Sequence, residues 1–397
     1  MENGQVFILD KNRLEHLLQL LRDDGFRVIG PTIRDGAVIY AEITSVAQLP
    51  RGWTHDSDAG VYRLKQREDG HYFGCVVGPQ SLKQYLFPPR HKLFSIACPG
   101  DGNSTFEVRD GGQTVPQYAF LGVRACDLAA LDVQDRVFAG GLSDPYYTAV
   151  RNRALIVAVN CTEPAGTCFC ASMGTGPRCR SGFDLALTEL AESFAIEAGS
   201  ERGRDLMERL KVVEADANTR RLVDLMLASA AEHMSRSLNT EDLPRILLEH
   251  PEHPHWSTVA ERCLACANCT LVCPTCFCSN VEDTSDLAGR MAERWRAWGS
   301  CFTLEFSYHT GGFVRSSIRA RYRHWLTHKL AGWHEQFGTS GCVGCGRCIA
   351  WCPVGIDITE EAAAIADDVR RSDKFSRDSK RSANAREPKG PRLEVAP

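Results

Sequence analysis

The stretches CLACANCTLVCP (263–274) and CVGCGRCIAWCP (342–353) decide how the last third of this chain folds. Each is a Cys-x2-Cys-x2-Cys-x3-Cys-Pro run, the spacing that holds [4Fe–4S] cubanes. Three closely spaced thiolates wrap one corner of a cluster. The fourth, followed by a proline that turns the chain away, reaches across to the other cluster. The expected pairing is therefore Cys263, Cys266, Cys269 and Cys352 on one cubane, and Cys342, Cys345, Cys348 and Cys273 on the other. Zinc is the competing occupant. It favours two separated Cys-x2-Cys pairs around one tetrahedron, which two tight runs with trailing prolines match poorly.

Between the runs, 286–298 and 314–337 show helical spacing of apolar residues, and a further helix is expected from about Ile358 to Arg371. A compact ferredoxin has a short β-containing link at this place. The expectation here is a helical dicluster domain, with helices forming a wall around the clusters. The basic positions Arg315, Arg319, Arg321, Arg323, His324, His328 and Lys329 lie on the second helix. They read either as a solvated face or as charge that docks an acidic partner or raises a nearby cluster potential.

Working back toward the N-terminus, PEHPHW (251–256) breaks a helical region, 202–248, and reads as a linker. Upstream, YAFLGV (118–123) and ALIVAVN (154–160) are continuous apolar runs suited to buried parallel strands. The helical pattern RACDLAALDVQDRVF lies between them, with Asp127 as a cap. Near the start, Asp10 caps a helix carrying Leu14, Leu17, Leu18 and Leu21 that stops near Gly25, and Asp35-Gly36 joins two β-rich runs as a hairpin. The fold class is thus α+β. An N-terminal α/β domain over 1–250 precedes an α-helical ferredoxin-like dicluster domain over 251–371, and the charged stretch 372–397 reads as a disordered tail.

Four more cysteines fall where an open α/β sheet places its sites. Cys126 follows the carboxyl end of one buried strand and Cys161 that of the next, while Cys168 and Cys170 sit in the polar loop beyond. Together they form a candidate third [4Fe–4S] site. The bland alternative for Cys126 and Cys161 is ordinary packing, common for buried cysteines. Cys276, Cys278 and Cys301 read as spare ligands, a partner contact or packing around the clusters, and Cys75, Cys98 and Cys179 as structural.

Composition narrows the class further. A net charge of −4 supplies no basic field for nucleic acid or an anionic membrane. No apolar run approaches membrane-spanning length. The start, MENGQVFILDKNRLEHLL, reads as a strand and an amphipathic helix rather than a secretion signal. Eighteen cysteines at metal-ligand spacings in such a chain point to a reducing cytoplasm rather than to disulfides. No flavin or nicotinamide fingerprint is found. The glycines of GCVGCG at 341–346 lack the strand–turn–helix context of a dinucleotide loop.

Taken in order, VRACDLAAL, the Cys-Phe-Cys loop with SMGTGP, the first cysteine run extended to CFC, and SGCVGCGRCIAWCPVGIDI resemble one family. It is the β-subunit family of soluble NAD(P)-linked [NiFe] hydrogenases (sulfhydrogenases), which includes the A subunit of anaerobic sulfite reductase. The resemblance runs from about Tyr118 to Glu361. It implies an iron–sulfur relay between a flavin subunit using NAD(P)H and the [NiFe] hydrogenase subunits, with the eight run cysteines as ligands and hydride chemistry on other chains. Two alternatives stay open. The chain could relay electrons to a sirohaem sulfite reductase subunit, or itself reduce sulfur or polysulfide at the Cys126/Cys161/Cys168/Cys170 site.

Overall fold

The computed structural model describes residues 5–97, 106–112 and 114–384, with side chains through Lys374. Cys98 lies outside the described residues. The expected β–α–β unit is the centre of an eight-stranded sheet. Four strands run parallel there: Leu185–Glu189, Leu155–Val159, Tyr118–Val123 and Arg27–Arg34. All side chains of Tyr118–Val123 and Leu155–Val159 are buried, which is why these segments read as unbroken apolar runs. Antiparallel strands complete the sheet. Ala37–Glu42 joins one edge through the Asp35-Gly36 turn, and Ser193–Ala198, Phe7–Asp10 and Val213–Glu214 extend the other. Both turn residues have positive φ, 50° and 75°, as a two-residue hairpin of this hand requires.

Helices cover both faces. Leu14, Leu17, Leu18 and Leu21 of the helix Leu14–Asp23 are fully buried against one face, each contributing about 2 kcal/mol by apolar burial. Asp10 precedes that helix without a side-chain cap. The other face carries Ala125–Phe138 and Pro145–Arg153. The ladder between the two buried strands shifts register at Gly122, whose φ of +81° makes a bulge that turns the following Arg124 inward.

The cysteine-rich region is walled by His255–Arg262, Ile318–Thr327, Trp333–Phe337 and the helix starting at Ile358. Trp256, Tyr322, Leu326, Ile349, Ile358 and Ile365 meet in its core, and the helix Leu243–Glu249 packs into the same core.

Two expectations are corrected. Residues 286–298 are not helical. Ser279–Ser285 and Met291–Trp298 form an antiparallel hairpin that pairs with Arg90–Ala97, giving a four-stranded sheet edged by Glu107–Asp110. Leu287, Met291, Trp295 and Trp298 imitate helical spacing. However, Asp286 accepts hydrogen bonds from the amides of Arg290 and Met291, fixing a turn, and a strand some two hundred residues upstream supplies the ladder. The last helix runs from Ile358 to Asn384, past the expected stop near Arg371 and into the segment read as disordered. No glycine or proline occurs before Pro388 to end it. Residues 385–397 lie outside the described residues. The 314–337 helix begins at Ile318, capped by the Ser317 side chain, and contains a π-helical stretch at His328–Gly332.

Candidate iron–sulfur centres

The two runs are copies of one backbone turn. Two and four residues after the leading cysteine stand Ala265 (φ 52°) and Ala267 (φ 69°) in the first run, and Gly344 (φ 64°) and Gly346 (φ 70°) in the second. The amide at the earlier position donates to the leading thiol in both, Ala265 to Cys263 Sγ at 3.4 Å and Gly344 to Cys342 Sγ at 3.5 Å. A one-turn helix follows each, Asn268–Leu271 and Arg347–Ala350, and the two pack together.

The composition of the turns differs for a steric reason. A Cβ on Gly344 would sit 2.6 Å from Cys170 Cα, and one on Gly346 would sit 2.1 Å from Thr167 O. The second run is therefore pressed against the Cys168–Cys170 loop. The Phe169 amide donates to Gly344 O at 2.8 Å, and Thr175 Oγ1 donates to Val343 O at 2.7 Å. Left-handed alanines cost about 1–2 kcal/mol each, a strain the first run carries at Ala265 and Ala267.

Cys263, Cys266, Cys269 and Cys352 line one apolar cavity together with Phe302 and Trp325, and Cys348 reaches its edge. Cys266 is exposed, flanked by the exposed Leu264 and Val354. Cys342, Cys345, Cys348 and Cys273 lie around a second point. Burial pushes the Cys348 thiol well up, and the closeness of Cys342, Cys345, Cys273 and Cys269 adds to it. Burial likewise pushes Cys342 up to about 12. Cys273 goes the other way, held low by hydrogen bonding from the Cys276 thiol and by the Lys329 ammonium, against its burial.

The third set of thiols is also brought together. Cys126, Cys161, Cys168 and Cys170 line one small cavity at the carboxyl ends of the central strands, and Cys345 of the second run closes it. Burial pushes Cys168 well up and Cys170 up to about 12, with the neighbouring sulfurs adding to both. Crowded, desolvated thiols of this kind ionise only when a cation binds among them.

Two arginines face the cavity, and sequence reasoning missed both. Arg124 is buried and donates to the carbonyls of Phe73, Cys75 and Asn160. Arg347 is 6% exposed and forms an ion pair with Asp127 (2% exposed), Nη1 to Oδ1 at 2.8 Å. That approach lacks hydrogen-bond geometry, and the bond proper runs from Nη2 to Oδ2 at 3.2 Å. Nε and Nη1 of Arg347 are left without an acceptor among the described residues. A buried guanidinium with one anionic partner and two unsatisfied nitrogens, facing these thiols, fits an anionic cluster better than neutral packing. Asp127, expected as a helix cap, serves this pair instead, and the helix Ala125–Phe138 has Arg124 at its N-cap with no side-chain cap bond.

The remaining described cysteines are all free thiols. Cys276 contacts Cys273, and Cys278 contacts Cys301. Cys75 and Cys179 are buried in the sheet's core. Of the basic helix, Arg319 and Arg323 pair with Glu252 on the surface, while Arg321 and Lys329 are buried. No helix among the described residues is long and apolar enough to cross a membrane.

Comparison with known proteins bears on the two runs. A family model described as a 4Fe-4S dicluster domain matches residues 262–356, the span of both runs. The chain is 30% identical over 347 residues to the sulfhydrogenase 2 subunit beta of Pyrococcus furiosus, covering 87% of this chain and 92% of that protein. No solved structure matches.

Proposed function

Starting from the chain's membership of the β-subunit family of sulfhydrogenases, we propose that it relays electrons within a multi-subunit, NAD(P)-linked [NiFe] hydrogenase of the cytoplasm. In this reading a flavin subunit using NAD(P)H lies at one end of the relay and the hydrogenase subunits at the other. Cys263, Cys266, Cys269 and Cys352 hold one [4Fe–4S] cluster; Cys342, Cys345, Cys348 and Cys273 hold a second; Cys126, Cys161, Cys168 and Cys170 hold a third. Bound cubanes supply one-electron transfer and nothing more.

The observation that carries this reading is the contiguity of the three thiol sets. Cys345 belongs to the second set and closes the cavity of the third. Cys348 belongs to the second and borders the cavity of the first. The chain's own groups do the rest. Arg347 and Arg124 offset negative charge at the inner site, apolar walls keep water from the middle, and exposed Cys266 with Leu264 and Val354 gives electrons a surface to cross.

Iron analysis tests the ligand sets. The parent is expected to hold about twelve iron atoms per chain, from three four-iron clusters. C168S/C170S is expected to lose about four of them and keep about eight. Unchanged iron in that variant would return those cysteines to packing. Co-purification tests the partners: a nickel-bearing chain with a flavin chain fits the proposal, and a sirohaem protein would reassign the relay to sulfite reduction.

A further inference from the structure

Lys329 is a buried ammonium in the middle of this arrangement. It is 5% exposed and sits in the π-helical stretch His328–Gly332, a helix irregularity that tends to mark functional positions. Its Nζ donates to Cys273 Sγ at 3.2 Å, Thr275 Oγ1 at 3.0 Å and Gly341 O at 3.0 Å. Thr275 passes its own proton to Gly341 O at 2.7 Å, so its oxygen is free to accept. Three acceptors use all three ammonium protons, which fixes the side chain as the charged form.

None of the three partners is a carboxylate. A buried charge without an ionised partner is costly, and the only partner that becomes anionic is the Cys273 sulfur. Other charges nearby act less directly. Lys83 Nζ lies 3.9 Å over the Trp298 ring and donates to Leu271 O and Cys276 O, not to a sulfur. Arg321 stands near Cys263 of the first run. Hydrogen bonds to sulfur and local charge set cluster potentials, and reduction adds one negative charge that a fixed cation stabilises.

We propose that Lys329 is a positioning and tuning residue that raises the potential of the cluster held by Cys342, Cys345, Cys348 and Cys273. This rests on the ligand sets proposed above, and the two ideas fail separately. If C273S keeps all its iron, the ligand reading falls, whatever Lys329 does.

The test is an anaerobic redox titration followed by electron paramagnetic resonance on the full chain, with C266S marking the midpoint of the first cluster. K329Q is nearly isosteric and keeps an N–H donor, so it is expected to load iron as the parent does. Its second-cluster midpoint is expected to fall by at least tenfold in the reduction equilibrium, 59 mV for one electron. K329M, lacking the donor as well, is expected to fall further. A midpoint in K329Q within twofold of the parent, about 18 mV, overturns the proposal. So does an equal shift of the first cluster, or loss of iron in K329Q, which would make Lys329 a structural residue.

Discussion

Arg347 lies between the Asp127 carboxylate and the proposed third cluster, and its removal should strand both. The guanidinium is 6% exposed and Asp127 2% exposed, with 2.8 Å between them. Apart from Arg347, the Asp127 carboxylate has Tyr40 Oη at 3.3 Å. R347M therefore leaves a buried carboxylate without a cation, which costs about 3–5 kcal/mol. D127N is milder, about 1–3 kcal/mol, because Arg347 keeps the proposed third cluster as its partner. The double variant D127N/R347M should cost less than the sum of the two, with a coupling of about 2 kcal/mol. Cluster proteins rarely unfold reversibly, so the suitable assay is a rate: anaerobic denaturant jump, followed by decay of the visible iron–sulfur absorbance. If the Arg347–Asp127 pair is still unformed in the transition state, 3 kcal/mol becomes about a hundredfold faster release for R347M. D127N releasing its clusters as fast as R347M would refute the idea that one arginine serves two anions. Purely additive effects would refute the pair itself.

Other expectations follow from the same geometry. G344A forces a left-handed alanine against Cys170 Cα at 2.6 Å, so it should separate the loop from the second run and lose iron from both, as metal analysis would show. A265G relieves strain at φ 52° but gives up a methyl packed on the core, so it should raise the thermal midpoint by less than the full cost of about 1–2 kcal/mol for a left-handed alanine. His55 is held neutral, its pKa lowered to about 4, by burial first and then by the positive charge of Arg124, against Asp56. Since the unfolded chain takes up that proton near pH 6.5 and the folded chain does not until about 4, stability falls across that window on acidification by roughly 2–3 kcal/mol. H55F should show a flatter pH–stability curve there, and an unchanged slope would exclude His55 as the source.

The features legible in the sequence were those encoded locally. The cysteine spacing, the Asp35-Gly36 turn and the two unbroken apolar strands each carry their information within a dozen residues. Residues 286–298 read as helix because the strand that pairs with their hairpin, Arg90–Ala97, is remote in sequence, and Leu287, Met291, Trp295 and Trp298 satisfy helical spacing equally well. Arg124, Arg347 and Lys329 look like solvated charges when read in line. Only packing shows that Arg347 reaches Asp127 and that Lys329 reaches Cys273. The hints in the sequence are a charge lodged inside a cysteine run, as Arg347 is between Cys345 and Cys348, and the basic positions that include Lys329 between the two runs.

The tight seating of Gly344 and Gly346 on the Cys168–Cys170 loop also bears on how the protein is made. With backbone pressed on backbone there, the Cys168–Cys170 loop has to swing away from the second run before a cluster of the proposed kind can enter among the inner thiols, so metal insertion is expected to precede the final seating of that loop. The proposed outer site, with Cys266 at the surface, is under no such order and is expected to exchange metal with a chelator first.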